Sequence, residues 1–439
     1  MNTLRQIHTF KIDTLTPVSV GSGATISPYS DFFLRNGKAY YVNQKKVEKR
    51  LEKEPHLIDE YVKQIRNGMN NNSSDFDLHD FLEEDLNIDT STFTNVKVFG
   101  YDFRDDAANK KHEVNQLIRE AGKPYLPGST LKGAIRTAML YDWLVNTAQG
   151  QKELHILCEE VLRFTKLRNY ADWAAYRNDE INRKHPDWYK YKKLDDELRE
   201  NLKDLKRKVL NENKLFGATI RKELKKEDKN ETSKKEYSQL FSSDFIVRDS
   251  RPFEPDDIAI YAAARIRRFD LKNNSDEGEI PLACEAILPQ KATTFDFLVN
   301  KKQTFAGSHL SYLAQNDSSI VLKQLSHFTK AIIDFEILSC KQAKTIGFER
   351  EIKKLLEFYI NLQERSNNNE YFLRIGASKT FLNNVLVLAL LNYKTEKFDV
   401  KEIYQHYAVI FGVKSKYPIT RTVTKTDFLP FGWVKISSK

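Results

Sequence analysis

Lys123-Pro124-Tyr125-Leu126-Pro127-Gly128-Ser129-Thr130-Leu131-Lys132-Gly133-Ala134-Ile135-Arg136 reads as a loop that feeds directly into a helix. Pro-Gly is turn chemistry, and Ser129 is a favourable N-cap whose hydroxyl accepts an otherwise unpaired backbone N–H. From there Leu131, Ile135, Ala138 and Trp143 fall along one helical face, so a helix of roughly 15–18 residues is expected. The start of such a helix gathers unpaired N–H groups and the positive end of the dipole, which suits an anion. Lys132 and Arg136 stand four apart and project from one side near that start. With Gly128 and Ser129 they form a candidate phosphodiester clamp; the plainer reading is a capped helix with surface charges. The Gly-x-x-x-x-Gly-Lys-Ser/Thr spacing of a Walker loop is absent.

Upstream, His8-Thr9-Phe10-Lys11-Ile12-Asp13-Thr14-Leu15 alternates apolar and polar residues and reads as a half-buried strand. It runs into Thr16-Pro17-Val18-Ser19-Val20-Gly21-Ser22-Gly23, where two glycines mark a turn. Gly21, Ser22 and Gly23 are a weaker phosphate candidate, since the six-residue dinucleotide fingerprint is missing. A short strand is expected at 39–42, helical residues at 44–68 split by Pro55, and a strand at 96–103. Downstream, strands are expected at 239–247, 258–269, 280–288 and 293–299, and helices at 318–340 and 349–363. Residues 371–391 run from a strand through a turn into an apolar helix. Within them Arg374-Ile375-Gly376-Ala377-Ser378-Lys379-Thr380 places Arg374 and Lys379 among small hydroxylated residues suited to phosphate. Residues 431–436 read as a terminal strand. Strands interrupted by helices without a strict βαβ rhythm point to an α+β fold.

The chain has 439 residues, 70 Lys and Arg against 61 Asp and Glu, a net charge of +9 and 40% hydrophobic residues. That is ample material for a core and excludes global disorder. No apolar run approaches the roughly 20 residues of a membrane span, and Met1-Asn2-Thr3-Leu4-Arg5 has no signal-peptide core. A soluble cytoplasmic protein is expected. Cys158, Cys284 and Cys340 are odd in number and far apart, which excludes a disulfide framework and a four-thiolate zinc site. Histidines and cysteines show no metal spacing, so no metal and no other cofactor is expected. His8 and His112 have acid–base chemistry available but no recognisable partner beside them. Asp31, just past the glycine turn, reads as a loop or strand-edge aspartate, in principle able to activate a ribose hydroxyl. No catalytic set assembles from these residues, and a non-enzymatic role is expected.

The basic surplus is concentrated. Residues 150–236 hold 23 Lys and Arg against 18 Asp and Glu, a mixed-charge block of the kind that forms solvated helical faces. Trp173, Tyr176, Trp188, Tyr189 and Tyr191 interleave with its Lys and Arg, a pattern that serves either helix packing or the stacking of bases. The expected organisation is an N-terminal part at 1–150, a charged helical insertion at 151–236, and a C-terminal part at 237–439 completing the core.

These motifs together resemble the CRISPR-associated RAMP superfamily. Leu15–Gly23 is similar to its N-terminal strand and glycine loop, and Tyr125–Thr137 to its Pro-Gly-Ser-x-Leu-Lys-Gly-x-x-Arg motif. Phe241-Ser242-Ser243-Asp244 and Glu285-Ala286-Ile287-Leu288-Pro289 resemble two further stretches. Tyr417-Pro418-Ile419-Thr420-Arg421 and Gly432-Trp433-Val434 resemble the large type III-A (Csm) subunit at the crRNA 3′ end. The likeness covers about 1–150 and 237–439. It implies one or more RAMP-type ferredoxin-like (RRM-like) cores with an antiparallel sheet, crRNA binding, and contact with other Csm subunits, both backbone RAMP and small ones. Target RNA and host nucleases are further implied partners, and no membrane is.

The implied role is to cap the crRNA 3′ end and assist crRNA maturation in antiviral defence, without an active site. RNA contacts then fall to Gly21, Ser22, Gly23, Gly128, Ser129, Lys132, Arg136, Arg374 and Lys379. The chain departs from the pattern in its short glycine tract at 21–23 and in the glycine-poor loop at 374–380. Three alternatives stay open: a histidine-centred RAMP endoribonuclease, a backbone subunit cleaving target RNA through Asp31, and an interaction scaffold with no RNA role.

Overall fold

The computed structural model describes residues 5–70, 77–100, 113–178, 188–209, 245–267, 282–300, 313, 317–343, 349–376, 385–411 and 420–439. Strands β1 (Arg5–Thr14), β2 (Gly21–Ile26), β3 (Phe32–Arg35) and β4 (Lys38–Tyr41) precede helices α1 (Gln44–Lys53), α2 (His56–Asn70) and the single turn α3 (Leu78–Asp80). Strands β5 (Asn95–Phe99), β6 (Val114–Leu117), β7 (Arg119–Glu120) and β8 (Lys123–Pro124) lead to α4 (Gly128–Asn146), α5 (Ala148–Thr165), α6 (Tyr170–Asn178) and α7 (Trp188–Val209). Next come β9 (Phe245–Val247), β10 (Ile258–Arg267), β11 (Leu282–Ile287), β12 (Ala292–Asn300), α8 (Ser318–Lys341) and α9 (Glu349–Asn367). The chain closes with β13 (Tyr371–Arg374), α10 (Val385–Leu391), α11 (Val400–Ile410), β14 (Thr420–Thr424) and β15 (Trp433–Ser438).

The first sheet has the order β13-β15-β1-β12-β9 and is antiparallel throughout. Its long central strand obeys the alternation of its sequence. His8, Phe10, Ile12 and Thr14 are buried, while Ile7 and Lys11 face out. Phe10 lies opposite Phe295 and Ile12 opposite Thr293 and Ile436. Between β1 and β9 the chain passes through α4, and β12 inserts between those two strands. Between β12 and β15 it passes through α8 and α9, and β1 inserts between those. Two interleaved split βαβ units of this kind, with strand order β15-β1-β12-β9, make a ferredoxin-like core.

A second sheet, β2-β6-β11-β10-β5-β4-β3 with β14 on β10, is mixed. It adds parallel pairings of β10 with β5 and of β11 with β6. The two sheets are joined by residues 15–20, the continuation of β1 into β2. Pro55 divides α1 from α2 as expected, and the Asn43 side chain caps α1 by accepting the Lys46 N–H at 3.3 Å.

The boundary expected at 150/151 falls inside α5. Its Leu154, Leu157, Cys158 and Val161 are buried in the same apolar cluster as the α4 face and the α11 residues Ile403 and Tyr407. In α6, Trp173 is fully buried against Phe164 and Tyr170, and its Nε1 donates to Asp195 of α7 at 2.8 Å. Tyr170 is hydrogen-bonded to His406 of α11 at 2.8 Å. The side chains of Tyr176, Trp188 and Tyr191 lie outside the described residues, as do residues 210–244 with the expected start of the strand before β9.

Candidate functional site

The sequence-selected residues settle on two sets of elements. The first surrounds the start of α4. The N-cap is Pro127 rather than Ser129, and Pro127 gives no side-chain hydrogen bond. Proline carries no N–H, so it sits easily where the helix begins; the Gly128 N–H is instead accepted by the Asp249 carboxylate at 2.6 Å. Gly128 is required by its close packing, since a Cβ there would stand 2.2 Å from the Val247 carbonyl oxygen. Part of the anion site expected at this helix start is therefore filled by the chain's own aspartate.

Ser129 is left exposed, one residue into the helix, and Lys132 and Arg136 follow half-buried on the same flank. The Lys132 Nζ donates to the Phe245 carbonyl oxygen at 2.9 Å and lies 4.9 Å from the Phe245 ring centroid. Burial, and then the neighbouring Arg136 charge, hold the Lys132 pKa below its ordinary value. An approaching anion would relieve that repulsion. Arg248, with a side chain 60% exposed and 3.7 Å from Asp296, continues the basic rim past β9.

The second set is a backbone clasp at the join of the two sheets. Gly376 has φ +79° and packs on the Ser19 carbonyl. The Ile375 N–H donates to Gly432 O at 2.9 Å, the Gly432 N–H to Pro17 O at 2.9 Å, and the Trp433 N–H to the Thr16 hydroxyl at 3.0 Å. Three stretches far apart in sequence, 16–20, 374–376 and 431–433, thus close on one another. Arg374 is buried in this clasp, donates its Nε–H to Phe431 O at 3.1 Å, and lies 5.9 Å from the Trp433 ring. Just beyond, Gly21, Ser22 and Gly23 form an exposed, irregular start of β2, with a register shift against β6 between Gly21 and Thr25. Lys379 lies outside the described residues, and so does His112.

The other candidates have structural surroundings. His8 is buried between Phe10 and Phe297 beside Gln6, and burial lowers its pKa. Asp31 accepts the Ser27 N–H at 2.7 Å and closes the turn before β3. Burial pushes the thiols of Cys158 and Cys284 up to about 12 and about 11, far from thiolate character. Asp77, His79 and Asp80 gather three potential metal ligands, but Arg35 donates to both aspartates at 3.0 and 2.8 Å and fills that space with its own charge.

Two buried ion pairs escaped the sequence reading. Glu285, fully buried in β11, receives Arg119 Nη2 at 2.7 Å, the Leu117 N–H at 2.9 Å and the Tyr41 hydroxyl. Glu336, fully buried in α8, receives Arg421 Nε at 2.7 Å. The available signal was a glutamate set among apolar residues, alone in Leu282-Ala283-Cys284-Glu285-Ala286-Ile287 and two positions from Asp334 in Ile332-Ile333-Asp334-Phe335-Glu336-Ile337. A buried carboxylate of that kind requires a partner somewhere in the fold.

The sequence profile described as the RAMP superfamily matches residues 11–381. Two curated relatives both bear the name CRISPR system Cms protein Csm5. That of Methanocaldococcus jannaschii is 26% identical over 189 residues, 43% of this chain and 42% of the relative. That of Streptococcus thermophilus is 34% identical over 145 residues, 30% of this chain and 38% of the relative. The chain thus matches about two-fifths of the length of these relatives. Among solved structures, the crystal structure of T. onnurineus Csm5 superposes with a TM-score of 0.57 at 21% identity, over 97% of this chain and 99% of that one. A chain of the cryo-EM structure of a Csm-crRNA-target RNA ternary complex in a type III-A CRISPR-Cas system gives 0.58 at 20% identity, over 98% and 100%. At these identities the likeness is one of fold.

Proposed function

The chain belongs to the RAMP superfamily, and on that premise we propose that it is a crRNA-binding subunit of a type III-A (Csm) interference complex, seated at the guide's 3′ end. The observation that carries this reading is the flank of α4, where exposed Ser129 and half-buried Lys132 and Arg136 lie near the helix start and the backbone of the exposed Arg248 packs beside Gly128. A subunit that must accept any spacer binds phosphate, sugar and base faces rather than base edges, and this flank offers hydroxyl, ammonium and guanidinium donors. The bulged Gly21–Gly23 segment supplies further close approach for a backbone. Other Csm subunits, backbone RAMP and small, are the protein partners in this reading, with target RNA and host nucleases as further ones. No helix among the described residues is long and apolar enough to cross a membrane.

The role is structural: the subunit holds the guide end and helps set where maturation stops, while trimming falls to other nucleases. His8 is locked in the sheet interior and Asp31 in a turn, so neither is presented to RNA. Salt-series titration of single-stranded guide RNA tests binding; affinity should fall steeply with salt and vary little with spacer sequence. Incubating the purified chain alone with end-labelled guide precursor tests the rest. Specific cutting abolished by His8→Ala or Asp31→Ala would replace this reading with that of an endoribonuclease.

A further inference from the structure

Arg35, Lys38 and Lys97 lie in one row across three neighbouring strands of the second sheet. Arg35 of β3 stands opposite Lys38 of β4, and Lys38 stands opposite Lys97 of β5. Residues directly opposite share a face, so three cations project side by side. The hairpin joining β3 to β4 is tight, with Asn36 and Gly37 at φ 51° and 71°, the signs that a type I′ turn requires. The Val98 N–H donates to the Gly37 carbonyl at 3.1 Å, which makes Lys38 and Lys97 the adjacent non-hydrogen-bonded pair. In such pairs cross-strand side chains come closest.

Arg35 is matched, since it donates to Asp77 and Asp80 at 3.0 and 2.8 Å. The exposed side chains of Lys38 and Lys97 have no hydrogen-bond or ion-pair partner among the described residues. Like charges set directly opposite one another destabilise a sheet, and an anion placed between them removes that repulsion. The acidic groups bordering the row are turned to other tasks. Asp257, just before β10, is held by Lys291 at 2.6 Å, and the charge of Asp427 falls on the Tyr261 hydroxyl.

Beyond the lysines the same face is aromatic. Phe99, two residues after Lys97, stacks on Tyr261 of β10 with ring centroids 4.9 Å apart and 21° between the planes. Phe431 packs over the inner part of that face with buried Ala259, Tyr261 and Ala286, leaving half-buried Phe99 at the margin. Lys97 and Phe99 are separated by about 7 Å of strand, comparable to the reach of one nucleotide from phosphate to base. Lysines alone would suit any polyanion, an acidic protein surface included. A ring set beside them favours RNA, whose bases stack on aromatic side chains whatever their identity.

We propose that Lys38 and Lys97 bind the phosphate backbone of single-stranded RNA, with one base resting against Phe99. The proposal rests on the RNA-binding reading and extends the contact from the start of α4, at the first sheet, to the outer face of the second.

The test is the Lys38→Ala/Lys97→Ala double variant of the full chain, titrated with a single-stranded guide oligonucleotide. Affinity should drop, and the slope of log affinity against log salt should fall by roughly 0.7 for each phosphate no longer neutralised. Thermal stability of the free variant should hold or rise, because a repulsion has been removed. Phe99→Leu keeps an apolar contact with Tyr261 and should lower affinity about tenfold with the slope unchanged, as loss of one stacked base does. Should that variant fail to fold, photocrosslinking of 4-thiouridine RNA to the unaltered chain should map to the peptide carrying β5. Normal affinity and slope in the lysine double variant overturn the proposal and leave the row to an acidic protein surface. Crosslinks confined to other segments overturn it as well. RNA that fails to bind the unaltered chain even at low salt overturns the proposed function itself, which is a distinguishable result.

Discussion

Gly376 and Ser19 meet backbone to backbone, so closely that a Cβ on Gly376 would stand 2.2 Å from the Ser19 carbonyl oxygen. With φ at +79°, Gly376 is also in the left-handed region that side chains resist. Ile375 and Gly376, just after β13, are thereby pinned to the segment that carries the chain from one sheet to the other. This places the glycine motifs near residues 21 and 376 in one neighbourhood, although Ser19 and Gly376 are 357 positions apart in sequence.

Gly376→Ala should therefore destabilise the protein by roughly 1–3 kcal/mol, the usual cost of a strained backbone position. Gly133→Ala is the contrasting change, because Gly133 sits exposed in the interior of α4 with open space where a Cβ would go. It should stabilise by about 0.5–1 kcal/mol through helix propensity. Denaturant unfolding of the two variants should move in opposite directions.

Replacing Lys132 and Arg136 together with Ala should weaken RNA binding at every salt concentration. The slope of log affinity against log salt should fall by roughly 0.7 for each phosphate that the variant no longer neutralises. Fluorescence anisotropy between low and moderate salt measures both quantities. Normal binding by the double variant would make this flank an ordinary helix surface.

Trp173→Ala removes a fully buried indole together with its hydrogen bond to Asp195. A loss of roughly 3–5 kcal/mol is expected, typical of a buried Trp truncated to Ala. For the same reason, replacing 151–235 by a short linker should yield unfolded or insoluble protein, since it strips α5 and α6 from Ile403, Tyr407 and His406 of α11. A folded, RNA-binding deletion variant would instead show a separable appendage.

His8 predicts a pH dependence of stability. Burial lowers its folded-state pKa, with Asp317 opposing the shift, so the unfolded chain takes up a proton first as the solution is acidified. Stability from this group is complete above the ordinary value of 6.5 and declines as pH falls toward the lowered folded value. Urea midpoints measured between pH 7.5 and pH 5, about the range in which histidine titrates, should fall less steeply for His8→Gln than for the unaltered chain.

Much of the fold was legible in short stretches of sequence. The alternation in 8–15, the Pro55 break between α1 and α2, and the Pro-Gly start of α4 are local signals, because strand and helix periods and proline geometry act over a few residues. The basic flank of α4 was legible too, since Lys132 and Arg136 lie one turn apart. The N-cap was misplaced at Ser129 because the group that takes the Gly128 N–H is Asp249, 121 residues away. Nothing near residue 128 announces it.

By itself, the sequence determined the strand at β1, the break between α1 and α2 and the start of α4, with Lys132 and Arg136 along one side of it. It announced none of β3, β6, α11 and β14, and it set Glu285 and Glu336 among apolar residues. Tertiary structure alone decided their partners. Glu285 finds Arg119 at a separation of 166 residues and Glu336 finds Arg421 at 85. It also decided that Arg374 turns into the clasp and that α5 and α6 are built into the core through α11. The physical reason is range. Backbone periodicity is written in neighbouring residues, whereas the pairing of a buried charge or the close approach of a glycine depends on which distant surface the finished fold brings against it.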